Sequence, residues 1–280
     1  MEKIIFFFIK LYFKIVSAIA PKFASKQAIY LFQKPSRRAY KDNEIDFYNK
    51  AKHFTVNYKE EVLDAYEIGS ENKKLVIIVH GWASNIGRLS KIAFRLEKEG
   101  YRVIGMNFPA HANSKLKQTN MVYAKNALVT LFKQLEIKDP FSIVTHSFGS
   151  GVSAFALAET QLKCEKIVFL TSANRIENIF LDFKKMVSLG EKTYQYVVAE
   201  MEKIVDFKLE KFNVVDILEN VKYDKLLIIH DKFDKMLPYT NALEIKEKAR
   251  DCELMSLENK GHSGMLFIEE VIEKVVDFLK

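Results

Sequence analysis

The sequence predicts an α/β protein built on a mostly parallel sheet with helices on both faces. From Phe54 onward, short apolar runs rich in Val, Ile and Phe alternate with stretches of helical periodicity. Leu75-Val76-Ile77-Ile78-Val79 is apolar without a break, the pattern of a strand covered on both sides. The 280 residues are 49% hydrophobic-class and 28% charged, enough for one large domain or two small ones with an ordinary core.

Taken in order, residues 1–41 form a basic amphipathic N-terminal helical segment, in which Lys3, Lys10, Lys14 and Ser17 share one narrow stripe of an otherwise apolar helix. Phe54–Asn57 and Val62–Ile68 read as two short strands of a meander. The strand Leu75–Val79 leads into a helix over Ile86–Glu99, which Gly100 closes. Strand Tyr101–Met106, helix Met121–Leu135, strand Phe141–Thr145, helix Phe148–Thr160 and strand Lys166–Leu170 continue the alternation. Residues 173–222 carry no convincing strand, only helical periodicity rich in Phe, Met and Lys, and a structureless loop of that length is improbable. They are expected to form a helical cap between the two core segments, 54–172 and 223–280. Strand Lys225–Ile229, helix Tyr239–Arg250, strand Cys252–Leu257 and helix Ile268–Leu279 complete the chain.

The net charge of +7 is concentrated at one end. Residues 1–41 hold nine basic side chains against Glu2 alone, which leaves 34 basic and 35 acidic residues in the rest. A neutral body without a nucleic-acid module argues against nucleic-acid binding. In the leader, about a dozen strongly apolar residues at roughly −0.4 kcal/mol each gain about 5 kcal/mol, while Lys10 and Lys14 cost about 5 to 7 kcal/mol near a bilayer centre. A spanning helix is therefore not favoured, and Pro21 after Ala18-Ile19-Ala20 disfavours a cleaved signal. Two readings stay open: peripheral membrane contact through residues 3–20, or packing on the body of the protein. Two cysteines, Cys164 and Cys252, exclude a disulfide scaffold, and with no convincing export signal they point to the cytoplasm, at the inner membrane face if the leader docks there. The six histidines show no metal-ligand spacing, so neither metal nor cofactor is expected. Gly149-Ser150-Gly151-Val152-Ser153-Ala154 matches a dinucleotide fingerprint but lacks the acidic residue at the next strand's end, where Leu170-Thr171-Ser172 stands.

The chemistry-bearing residues cluster at strand ends. Ser147, in Thr145-His146-Ser147-Phe148-Gly149, lies between a buried strand and a helix, the setting of a nucleophile elbow, although Thr145 stands where glycine is usual. A serine there could equally be a helix N-cap. His80-Gly81-Trp82 follows the first long strand, so the backbone N–H groups of Trp82 and Phe148 are candidate oxyanion donors. His230-Asp231-Lys232-Phe233-Asp234 follows a later strand, and Gly261-His262-Ser263 follows the last one. The order Ser147, Asp234, His262 is serine, acid, histidine, with Asp231 as the alternative acid.

From about residue 54 to 280 the chain resembles the α/β-hydrolase superfamily. Its Asp-x-x-x-His-Gly-x-Ser segment corresponds here to Asn107-Phe108-Pro109-Ala110-His111-Ala112-Asn113-Ser114, departing at Asn107 and Ala112. The resemblance implies acyl transfer through Ser147, His262 and Asp234, with His80, Gly81, Phe108 and His146 shaping a substrate pocket. The expected substrate is a small-molecule carboxylic ester, apolar or lipid-like. A thioesterase or peptidase of the same fold, or a receptor without catalysis, is the alternative.

Overall fold

The computed structural model describes residues 2–205, 208–211 and 213–280. In chain order the elements are α1 (Glu2–Ile19), α2 (Pro21–Phe32), α3 (Asp42–Lys50), β1 (Lys52–Tyr58), β2 (Glu61–Ile68), β3 (Lys74–Val79), α4 (Ser90–Lys98) and β4 (Tyr101–Met106). They continue with α5 (Met121–Gln134), β5 (Phe141–His146), α6 (Phe148–Thr160), β6 (Cys164–Leu170), α7 (Ile176–Val187), α8 (Glu191–Val205) and α9 (Val214–Leu218). The last are β7 (Tyr223–Asp231), α10 (Thr240–Lys248), β8 (Cys252–Leu257) and α11 (Glu269–Leu279). Packing divides the chain into two compact units, one from residues 1–34 and 175–213, the other from 35–174 and 214–280.

The larger unit holds one eight-stranded sheet in the order β1-β2-β4-β3-β5-β6-β7-β8. The β1/β2 and β2/β4 pairs are antiparallel, and every other pair is parallel. Alternate residues of a strand face opposite sides, so a strand covered twice must be apolar throughout. Val76, Ile78, Val144, Val168, Leu227 and Ile229 accordingly join Ile92 and Leu96 of α4 and Val271 and Val275 of α11 in one buried cluster. Ile77, Ile143, Ile167 and Ile228, the residues between, are also fully buried. Each such side chain contributes roughly 1.5–3 kcal/mol on burial. The chain leaves β3 for β4 on one side and reaches β5 on the other, and ligands of open α/β sheets bind beyond the strand ends at such a reversal.

Several boundaries differ from the sequence reading. The 86–99 helix divides into a 3₁₀ turn over Ile86–Leu89 and then α4, and residues 42–50, to which the sequence reading assigned no element, make α3. Glu44, fully buried, explains that helix: its carboxylate takes the Lys41 N–H at 3.1 Å, the Asn85 amide at 3.2 Å and the Arg38 guanidinium. The core unit thus starts at residue 35.

In the smaller unit, α1 packs on α2 and α7, and α2 packs on α8. The Phe32 ring lies 4.7 Å from that of Phe180 and 5.0 Å from that of Phe183, and Phe13 is buried. The leader and the inserted helices, read in the sequence as separate segments, form one helical body.

Candidate active site

The strand-to-helix turn at Ser147 is backbone-strained. Ser147 has φ 55° and ψ −118°, a region a residue with a Cβ occupies at a cost of about 1–3 kcal/mol. Its N–H is shared between the carbonyls of Leu170 and Thr171, both at 3.2 Å, and its own carbonyl accepts the Ser150 N–H at 2.9 Å. Gly149 permits the turn, because a Cβ there would fall 2.7 Å from the His80 carbonyl oxygen and 2.8 Å from that of Val79. Thr145 is accommodated where a glycine was expected because its buried hydroxyl has partners, donating to the Val168 carbonyl at 3.2 Å and meeting Ser150 Oγ at 2.8 Å.

The Ser147 side chain does not cap α6. Its Oγ lies 2.9 Å from His262 Nε2, and His262 Nδ1 lies 2.7 Å from Asp234 Oδ2. Three residues, the outermost two 115 positions apart in the sequence, are thus brought into one line. Asp234 Oδ1 accepts the N–H groups of Met236 at 2.8 Å and Leu237 at 3.1 Å, while the Thr171 hydroxyl donates to Oδ2 at 3.3 Å. Burial on its own would raise the Asp234 pKa, but the His262 ring and these backbone donors outweigh it and bring it down to about 2.

Asp231, the other candidate acid, has a different position. It is fully buried, and its Oδ1 takes the Phe233 N–H at 2.7 Å while Oδ2 takes the N–H groups of Gly261, at 2.8 Å, and Lys260. Burial opposes its ionisation, and the backbone donors of Phe233, Gly261, Lys260 and Asn259 more than compensate, holding its pKa below the usual value. Asp231 anchors the turn that delivers His262. The carboxylate beside the imidazole is that of Asp234.

The segment after β3 lies against the elbow. A Cβ on Gly81 would stand 3.2 Å from Ser147 Cβ, and the half-buried Trp82 ring meets the Phe148 ring edge-on at 5.2 Å. Neutral histidines brace these loops. His80 Nδ1–H donates to the Gly81 carbonyl at 2.8 Å, and its Nε2 accepts the Phe108 N–H at 3.0 Å. His111 Nε2 accepts the Ala83 N–H at 3.1 Å, and Asn107 Oδ1 accepts the Ile86 N–H at 2.9 Å. Burial pushes the His111 pKa down to about 4 and that of His146 down to about 3. His146 Nε2–H donates to the His262 carbonyl at 3.0 Å, a second hold on the histidine loop.

His80, Phe108 and His146 were expected to line the pocket. They have almost no exposed surface, at 0%, 1% and 3%, and they hold the loops in shape from behind, whereas the rings of Trp82 and of Phe148, the residue after the serine, are half-buried. The sequence reading missed Thr171 and the anchoring role of Asp231. Thr171 has φ 58° and follows β6 directly, so its place at a strand's end was the available signal. Among the described residues no group of three or more His, Cys, Asp or Glu is arranged to hold a metal ion.

Comparisons with known proteins bear on the fold that carries this site. Residues 74–194 match the model of a family described as having the alpha/beta hydrolase fold. A serine hydrolase-like protein of Dictyostelium discoideum is 29% identical over 104 residues, which are 36% of this chain and 29% of that protein. An esterase of Pyrococcus furiosus superposes with a TM-score of 0.65 at 22% identity, covering 88% of this chain and 95% of its own. An esterase of Exiguobacterium antarcticum gives 0.63 at 17% identity, covering 81% and 99%. At such identities the structural likeness speaks for the fold.

Proposed function

Taking the chain as a member of the α/β-hydrolase superfamily, we propose that it is a serine hydrolase cleaving carboxylic esters through an acyl-enzyme. The observation that carries this reading is the continuous line Ser147 Oγ, His262 Nε2, His262 Nδ1, Asp234 Oδ2, with links of 2.9 and 2.7 Å. In the first step Ser147 Oγ attacks the ester carbonyl carbon while His262 Nε2 takes its proton. The Asp234 carboxylate fixes the proton on Nδ1 and stabilises the imidazolium. The negative oxygen that develops is met by the backbone N–H groups of Phe148 and Trp82, each worth about 3 kcal/mol in the transition state. Phe148 opens α6, where N–H groups have no partner within the helix and the helix dipole favours negative charge.

His262 then hands its proton to the departing alkoxide, and the alcohol leaves. Water entering the same place loses a proton to Nε2 and attacks the acyl carbonyl, and Ser147 regains its hydrogen as the acid departs. Trp82 and Phe148 make the surroundings of the serine aromatic, which supports an apolar acyl group. Esterases are among the proteins that share the fold, so an ester is the first acyl bond to test. The test is a panel of p-nitrophenyl esters of increasing chain length, with a thioester and an anilide alongside, assayed on the wild type and on Ser147→Ala. Turnover of the esters that vanishes in the variant is expected. Equal turnover in both proteins would overturn the proposal.

A further inference from the structure

We infer that α1 is a membrane-docking helix, which places the protein on an anionic lipid surface independently of the ester chemistry proposed above. In the helical unit, α1 turns only one narrow side toward α2 and α7: Phe13 and Ser17 are buried, and Ile9 and Val16 partly so. At 100° per residue these lie together, and the opposite side carries Ile4, Phe7, Phe8, Leu11, Ile15 and Ile19. All six are exposed, Ile4 at 62%, Phe7 at 61%, Phe8 at 59% and Ile19 at 77%. An apolar helix of 18 residues normally buries this face, and a contiguous exposed patch of this kind marks an interaction surface.

Charge identifies the occupant. Lys10 and Lys14 border the apolar face along one edge, both exposed, and Lys10 Nζ sits 5.3 Å from the centre of the Phe6 ring, its stem lying along the helix. From residue 3 to residue 41 the sequence has no acidic side chain. A second copy of α1 laid on the first would bring apolar faces together but leave both lysine edges without a counter-charge. A layer of anionic headgroups over acyl chains supplies both components, taking Phe7, Leu11 and Ile15 into the acyl boundary and pairing the ammonium groups with phosphate. The helix is about 27 Å long at 1.5 Å per residue, and no described helix is long and apolar enough to cross a membrane, so it lies along the surface.

The experiment uses the full chain carrying Ser147→Ala, so that lipid hydrolysis plays no part, in co-sedimentation with vesicles of phosphatidylcholine alone or with 30% phosphatidylglycerol. Each lysine near an anionic surface is worth roughly fivefold in affinity at low salt. Binding to the anionic vesicles at least tenfold tighter than to neutral ones is therefore expected, weakening as salt is raised. Phe7→Gln/Leu11→Gln/Ile15→Gln, three exposed positions whose exchange leaves the packed side intact, should lower it at least tenfold, and Lys10→Gln/Lys14→Gln should abolish the preference for anionic lipid. Circular dichroism and thermal melting of each variant confirm folding. No vesicle binding, binding unchanged in the triple variant, or a wild-type dimer that the triple variant dissociates without any lipid affinity would each overturn the inference.

Discussion

Replacing Asp234 by asparagine isolates what the carboxylate does. Asp234 Oδ1 is committed to the N–H groups of Met236 and Leu237, so in the variant the amide oxygen keeps those bonds and the NH₂ group faces His262. That NH₂ can only donate, so the imidazole must accept at Nδ1 and carry its proton on Nε2, pointing at Ser147 Oγ. A histidine in that tautomer cannot take the serine's proton, and the imidazolium that would form has lost its counter-charge. The expected fall in kcat on p-nitrophenyl butyrate is about four orders of magnitude, or ~5.5 kcal/mol in the barrier. A stability change accompanies it. The folded protein holds this carboxyl at about 2 against an ordinary 3.8, a difference worth about 2 kcal/mol. That contribution is complete above about pH 4 in the wild type, drains away as pH falls through 2, and is absent from the variant at every pH. Urea titrations between pH 2 and 7 measure it. Asp231→Asn, the same exchange three residues earlier, should instead loosen the turn at residues 259–261, cost about 1–3 kcal/mol, and leave far more activity. If Asp234→Asn stays within tenfold of wild type while Asp231→Asn, still folded, loses a thousandfold, the tautomer reasoning is wrong and Asp231 is the acid.

Two further exchanges test the elbow. Gly149→Ala places a methyl group within 3 Å of two backbone carbonyls of the β3 end, where no flexible side chain can yield, so chemical denaturation should show a loss of about 1–3 kcal/mol and turnover should drop as α6 shifts. Ser147→Gly removes the Cβ from a residue at φ 55°, so an inactive protein up to about 1 kcal/mol more stable than Ser147→Ala is expected in the same measurement.

Much of the larger unit was legible because local and global demands coincide there. A strand covered on both faces is apolar nearly throughout, and Leu75–Val79 could be little else. The Ser147 turn was legible because a tight strand-to-helix turn needs a small residue at Gly149, and the order of Ser147, Asp234 and His262 narrowed the partners. The choice between Asp231 and Asp234 was not, since one ends β7 and the other stands three residues beyond it, and only the three-dimensional path of residues 258–262 brings one to the turn's backbone and the other to the ring. Helix α3 escaped for a similar reason: Glu44, an acidic residue in a short polar stretch, is held by Arg38 and Asn85 from outside the helix. The association of α1 and α2 with α7 and α8 spans some 150 residues of sequence, and amphipathic periodicity names a face without naming what covers it. Thr145 shows the converse, a departure from the expected glycine that cost nothing once Val168 and Ser150 were there to satisfy its hydroxyl.

Labelling by a fluorophosphonate, followed by peptide mass mapping, tests the central claim most directly. Such a probe reacts only with a serine whose proton has somewhere to go. One adduct per chain on Ser147, missing in Ser147→Ala and strongly slowed in His262→Ala, is the result the account predicts. A folded wild-type protein that takes no label, or takes it on another residue, would contradict it.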